Sequence, residues 1–336
     1  MGRLRRGLAC LITTMACWSV CMARDGTSAR PPEQWNCGGD GRPALQILGS
    51  GAPLDAGGRA SASYLIWLDS RPRLLIDVGA GAAVNFARAG ADVRDLDAVL
   101  ISHIHPDHVS DLPALLWSAD VVERSRPLLV AGPQGRGEFP AIAQYLERLF
   151  GPQGAYPFMK DILARSSAFH LRIMPIAVSR FEAIPLTTLD AVRISAFPVE
   201  HGQAPTVAYR LDGAGFSIVF AADQTGATPG FAAFASNADL LVLHTALSPH
   251  AVKFAGVIGL PQNLGKLAAR AHAKSVVLAH LMDFPPDDPR EASFSLHSPT
   301  ALEASIESVF RGRVTLAADG ECLALGHPRR LRQPDG

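Results

Sequence analysis

The sequence predicts a layered α/β fold, and three features carry that expectation. Short apolar runs alternate with longer stretches whose apolar residues recur at helical spacing, as strands do with the helices that cover them. Glycine and proline, 30 and 25 of the 336 residues, punctuate the pattern as turns. Several His and Asp residues stand just after apolar runs, where an α/β sheet gathers its functional groups. With 48% hydrophobic and 18% charged residues the chain can bury a sizeable core, which excludes intrinsic disorder and coiled coil. The length suits one or two globular units.

At the start, Arg3, Arg5 and Arg6 precede an uncharged, mostly apolar stretch from Gly7 to Val20, followed by Cys21-Met22-Ala23. This reads as a cleaved secretory signal over residues 1–23 and a periplasmic or secreted mature chain; a lipoprotein acylated at Cys17 or Cys21 is the alternative. Loss of the three arginines takes the net charge from 0 to −3, and Cys37 and Cys322 remain as a pair able to form a disulfide in an oxidising compartment. Residues 24–43, rich in Pro, Gly and Arg, read as an extended arm. The 31 basic and 31 acidic residues give no overall field to attract a polyanion, so no nucleic-acid binding is expected from charge.

The globular domain is expected over residues 44–328, with a tail at 329–336. In its first half Leu45 to Leu48, Ser63 to Leu68, Leu74 to Val78, Ala98 to Ser102 and Leu128 to Ala131 read as strands. Ala82 to Arg88, Ser110 to Ala119 and Phe139 to Phe150 read as helices packed on them. Residues 151–180 interrupt the pattern with Pro and aromatics and read as a lid-like insertion. The second half offers strands at Val192 to Val199, Ser217 to Ala222, Leu240 to Leu243, Ser275 to Ala279 and Val314 to Leu316, with helices at Asn263 to His272 and Thr300 to Phe310. No second apolar segment is long enough to span a membrane.

Chemistry concentrates in Ser102-His103-Ile104-His105-Pro106-Asp107-His108, directly after a strand and before a helix. His103 and His105 can point to one side and Asp107 and His108 to an adjacent spot, which suits two neighbouring metal ions. Zinc accepts imidazole nitrogen and carboxylate oxygen at roughly 2.0 to 2.2 Å. Further ligands stand at equivalent places: His201, Asp223 and His280 each follow an apolar run.

With these residues the chain resembles the metallo-β-lactamase fold superfamily of metal-dependent hydrolases, whose hallmark is His-x-His-x-Asp-His. Leu48-Gly49-Ser50-Gly51-Ala52-Pro53, Leu75-Ile76-Asp77-Val78-Gly79, Pro198-Val199-Glu200-His201 and Val277-Leu278-Ala279-His280-Leu281 are similar to its ribonuclease Z-like branch. The resemblance implies a four-layer αββα sandwich and two Zn2+, with Mn2+ or Fe possible. It places His103, His105 and His201 on one ion, Asp107, His108 and His280 on the other, and Asp223 between them, with Asp77 supporting the His loop. It also implies hydrolysis by a metal-bridging hydroxide held by Asp107, and a dimer is a family expectation.

Two departures stand out. Where the branch has His-Glu-Ala-Thr, this chain has His244-Thr245-Ala246-Leu247, and a later family His falls at Ile258. Processing of tRNA 3′ ends is therefore not expected, while a phosphodiester remains the first substrate class. Lactone, aryl sulfate or β-lactam hydrolysis on the same metal core is the alternative. Asp223 argues against the β-lactam, and the His at position 105 argues against an iron-based redox relative. A secreted, metal-binding protein without turnover is the alternative of another class. His244, His250 and His297 are the candidates for the leaving-group acid.

Overall fold

A computed structural model describes residues 35–326 except 36, 55–56, 249–250, 252–253, 255, 286–287 and 291–297. The expected signal, most of the arm, the tail, His250 and His297 lie outside the described residues.

Two seven-stranded mixed sheets pack face to face. The first has the spatial order β14 (Cys322–Ala324), β1 (Ala44–Gly49), β2 (Ser63–Leu68), β3 (Arg71–Ile76), β4 (Ala98–Leu100), β5 (Leu128–Pro133) and β6 (Leu171–Ile176). The second has the order β13 (Arg313–Leu316), β12 (Ser275–Ala279), β11 (Leu240–His244), β10 (Phe216–Phe220), β9 (Ala204–Gly213), β8 (Val192–His201) and β7 (Ile184–Leu189). Each sheet begins as an antiparallel meander and continues with parallel strands reached by crossovers. The chain therefore lays down the same topology twice before β14 returns to pair with β1.

The residue pattern explains the layers. Along β2, Tyr64, Ile66 and Leu68 face the second sheet, where they meet a core that includes Tyr209, Leu211, Ile218 and Phe220. Leu65 and Trp67 face the other way, into a layer with Phe86, Leu112, Leu116 and Ile142. Those four belong to α1 (Ala82–Arg88), α3 (Leu112–Val121) and α4 (Ile142–Phe150), while α2 (Pro106–Val109) carries the metal-ligand motif. On the outer face of the second sheet, α5 (Phe231–Phe234), α6 (Pro261–Arg270) and α7 (Pro299–Glu307) contribute Phe231, Leu264, Leu267, Leu302 and Ile306. Strands buried on both faces read as continuous apolar runs, as these do. The architecture is the expected αββα sandwich.

The structure departs from the sequence reading in four places. Residues 151–180 are not a lid: they hold a short 3-10 helix, Pro157–Leu163, and β6, which pairs with β5 in parallel register as the outer strand of the first sheet. Arg172 and Pro175 broke its apolar run. The expected strand to Val78 stops at Ile76 because Asp77 turns into the left-handed region with φ 55°. The helix expected from Ser110 is preceded by α2, which starts at Pro106. Finally, β7, β9 and β14 were not expected as strands. Cys37 and Cys322 form a disulfide across 285 residues, fixing the arm to β14. Among the described residues no helix is long and apolar enough to cross a membrane.

Candidate metal centre

Strand ends from both sheets meet at one edge. β4 leads through Ser102 into the His loop; β8 ends on His201; Asp223 follows β10; β11 ends on His244; His280 follows β12. Asp77, at the end of β3, fixes the loop. Its carboxylate accepts the Ser102 N–H at 2.7 Å, the Ser102 hydroxyl at 2.8 Å and the His108 Nδ1–H at 2.7 Å. The Val78 N–H donates to the His108 carbonyl at 2.8 Å. Gly79 lies so close to the Asp107 carbonyl that no side chain fits there. Asp77, Ala222 and His280 have positive φ, so three of the turns that aim the functional groups carry backbone strain.

All seven expected ligands converge. His103, His105 and His201 form one group, with His103 Nε2 at 2.9 Å and His201 Nε2 at 3.3 Å from His105 Nδ1. Beside it His108, Asp223, His244 and His280 form a second, and Asp107 Oδ2 lies 3.3 Å from His108 Nε2 and 3.2 Å from His280 Nε2. Asp223 stands between the groups: Oδ2 is 3.6 Å from His201 Nε2 and 3.3 Å from His280 Nε2, and Oδ1 is 3.7 Å from His108 Nε2.

Outer partners decide which nitrogens face inward. The His201 Nδ1–H donates to the Val257 carbonyl at 2.7 Å, leaving Nε2 with its lone pair toward the cluster. Ser102 Oγ gives its proton to Asp77, so it accepts from His103 Nδ1–H at 3.0 Å and His103 Nε2 also faces in. His108 is held by Asp77, and its buried Nε2 has no hydrogen-bond partner among the described residues. Lone pairs of buried imidazoles converging on two carboxylates are satisfied by a cation, so the residues fit a divalent metal.

The electrostatics agree. Burial and the neighbouring His108 ring keep the His103 pKa well below the usual imidazole value, and burial lowers that of His105. Burial alone would raise the Asp223 carboxyl; His280 and His108 outweigh it and hold it well below the usual range. Burial opposes charge on His108, yet Asp77, Asp107 and Asp223 push its pKa well above normal. The pocket around His108 thus calls for positive charge.

His244, one of the candidates for the leaving-group acid, takes the structural role that a buried His more often has. It is buried, its Nδ1–H donates to Asp223 Oδ1 at 2.7 Å, and its Nε2 accepts the buried Tyr64 hydroxyl at 2.7 Å. Both nitrogens being engaged, His244 holds Asp223 in place and is not free to protonate a leaving group or to ligate. Its position at the end of an apolar run was the available signal; Tyr64, inside β2, gave none. Thr245 donates its hydroxyl to the Gly259 carbonyl at 2.8 Å, and Ile258 lines the cavity beside the cluster.

Fold and site together define a metal-dependent hydrolase. Residues 56–205 match the family profile described as Metallo-beta-lactamase superfamily. A ribonuclease Z of Mycobacterium bovis (strain BCG / Pasteur 1173P2) is 30% identical over 210 residues, covering 60% of this chain and 70% of the relative. That of Mycobacterium sp. (strain KMS) is 29% identical over 279 residues, covering 78% and 92%. The chain belongs to the metallo-β-lactamase superfamily, as a ribonuclease Z-like metal-dependent hydrolase. Among solved structures, the metallo-beta-lactamase fold protein YhfI from Bacillus subtilis shares the fold with TM-score 0.64 at 21% identity, covering 84% of this chain and 98% of that one. Human tRNase Z, short form, does so with TM-score 0.61 at 19% identity, covering 84% and 100%.

Proposed function

We propose that this chain is an exported dinuclear zinc hydrolase that cleaves an ester-type bond, with a phosphodiester as its substrate class. The observation that carries the reading is the position of Asp223, within 3.7 Å of imidazole nitrogens from both ligand groups. A carboxylate so placed would be shared between two ions. His103, His105 and His201 would hold one, and Asp107, His108 and His280 the other. When bound, the ions acidify a water and neutralise charge on the attacked oxygen.

The protein's own groups do the rest. Asp107 lines the cavity and is held ionised: burial would raise its pKa, but His108 and His280 bring it below the usual carboxylate range. It orients the attacking water and takes its proton. The Tyr64–His244–Asp223 chain fixes the second carboxylate. Among the described residues of the cavity wall none is placed to protonate a leaving group. The name ribonuclease Z borne by the relatives supports the phosphodiester class. The Cys37–Cys322 disulfide supports export, since such bonds persist in oxidising compartments.

The test is zinc- or manganese-loaded protein, with Asp107→Ala beside it, on chromogenic phosphodiester, lactone, aryl sulfate and cephalosporin substrates. Chelator-sensitive phosphodiester turnover, lost in the variant, is expected. Preference for another ester would overturn the substrate class, and an Asp107→Ala variant with wild-type rates would overturn the mechanism. Mass of the N-terminus after expression in an export-competent host should show a chain beginning near Arg24.

A further inference from the structure

Beside the cluster lies a cavity of about 380 Å³ whose floor is His105, Asp107, His201, Asp223 and His280. Its wall is of a different nature: Leu54, Leu247, Phe254, Val257, Ile258 and Met282 face it. Most of these belong to a small hydrophobic cluster of their own, apart from the three layers of the core, built by the segments around Ala246 to Leu260 and around Met282 to Phe284. Among the described residues the wall presents no charged side chain. Two arginines of the described residues are committed elsewhere. Arg59 is bound to Asp283, Ser50 and the Ala317 carbonyl, and Arg136 to the Gln203 carbonyl.

From this geometry, and resting on the hydrolase reading above, we infer that the substrate is a small ester with a single polar centre and an apolar substituent, not a polynucleotide. One charged or polar group meets the floor, where five of the seven expected ligands are exposed to the cavity. The remainder meets carbon. A polynucleotide brings further phosphates within a few ångströms, and each would lose water in this cavity without a partner, at a cost that desolvated charges do not recover. An apolar group gains instead from every methylene buried. The volume suffices: an apolar cavity of about 150 Å³ in another protein accepts benzene, and this one is more than twice as large. The two departures from the branch agree, because Thr245 is turned to the Gly259 carbonyl and Ile258 puts carbon on the wall. In the reaction, water oxygen bonds to phosphorus as the bond to the leaving oxygen breaks. The products are an alkyl phosphate and the alcohol or phenol, and the apolar group occupies the wall throughout.

The experiment has a binding arm and a kinetic arm. N-phenyl-1-naphthylamine, a neutral apolar fluorophore, should bind the metal-free chain, and Leu54→Glu or Met282→Glu should weaken it at least tenfold. Both positions are half-buried, and a melting curve for each variant confirms folding. With zinc-loaded protein, kcat/KM for n-alkyl p-nitrophenyl phosphates should rise roughly fourfold per methylene from methyl to butyl, and the slope should flatten in both variants. The p-nitrophenyl ester of thymidine 5′-phosphate, with the same leaving group, should be cleaved more slowly than the butyl ester. Probe binding equal in wild type and variants, a flat slope in the wild type, or preference for the nucleotide ester overturns the inference. Turnover with a flat slope does so while leaving the hydrolase reading intact. Probe binding abolished by the variants, with no ester cleaved, removes the hydrolase reading and leaves the apolar-ligand assignment standing.

Discussion

Replacing Asp77 by Asn asks whether the proton pattern of the His loop is imposed from outside the metal site. Oδ1 of Asp77 accepts one backbone N–H, and Oδ2 accepts both the Ser102 hydroxyl and His108 Nδ1–H. Asn has the same size and is among the residues that best tolerate the left-handed backbone found here, φ 55°, so Asp77→Asn adds little strain. It replaces Oδ2 by an NH2 group, which cannot accept. His108 must then offer Nδ1 as the acceptor and carry its proton on Nε2, the nitrogen that faces the cluster. A metal ligand is lost without moving a heavy atom. Loss of such an orienting partner costs about 10- to 100-fold in metal affinity, or about 1.4 to 2.8 kcal/mol. Exchanging a charged acceptor for a mismatched amide costs the metal-free fold about 1 to 3 kcal/mol. Zinc competition against a chromogenic chelator measures the first quantity and urea unfolding of metal-free protein the second. A variant that binds zinc within twofold of wild type would refute the reasoning, because Asp77 would then not be choosing the tautomer.

Other expectations follow from single contacts. Tyr64→Phe leaves His244 Nε2 buried without a donor and should lower unfolding stability by about 1 to 3 kcal/mol; an unchanged urea midpoint would argue against the hydrogen bond. Gly79→Ala puts a methyl group against the Asp107 carbonyl and Ser61, so zinc content after dialysis should fall together with the melting temperature. Reducing the Cys37–Cys322 bond should cost about 2 to 4 kcal/mol, read as a lower urea midpoint in dithiothreitol. Asp239 supplies a pH test. Burial would raise its pKa, but Lys274 at 2.5 Å and the Ser217 N–H and hydroxyl lower it. A carboxyl with a depressed folded pKa stabilises the fold above its unfolded pKa of about 3.9 and loses that contribution as pH falls further. The melting-temperature gap between wild type and Asp239→Asn should be constant near pH 6 and shrink below about pH 4; a gap that widens in acid would contradict this.

What the sequence made legible was what local chemistry dictates. The ligands His103, His105, Asp107 and His108 sit within one loop, and His201, Asp223 and His280 each end or follow a strand, so residue type and position sufficed. The buried strands of the first half were plain because both their faces are apolar. Elements whose stability comes from partners far along the chain were not. β6 carries Arg172 and Pro175 on exposed positions of an edge strand, and β14 is only three residues long, held by β1 and a disulfide. The role of His244 was hidden for the same reason. Its two nitrogens are claimed by Tyr64 and Asp223, 180 and 21 residues away, and no local pattern encodes that pairing.

The return of β14 to β1 has a bearing on the order of assembly. Leu45 pairs with Ile66 on one side and Leu323 on the other, and Asp319 bonds the Ser50 N–H and hydroxyl and the Ala60 N–H. The first strand of the domain thus waits for residues 319–324, and contacts of such span close slowly because the long intervening loop must be closed. The metal-ligand edge draws on both sheets, so neither half captures an ion in final geometry alone. A chain still lacking residues 322–324 keeps an open β1 edge. Closing that edge brings β14 onto β1 and the carboxylate of Asp319 onto Ser50 and Ala60 together.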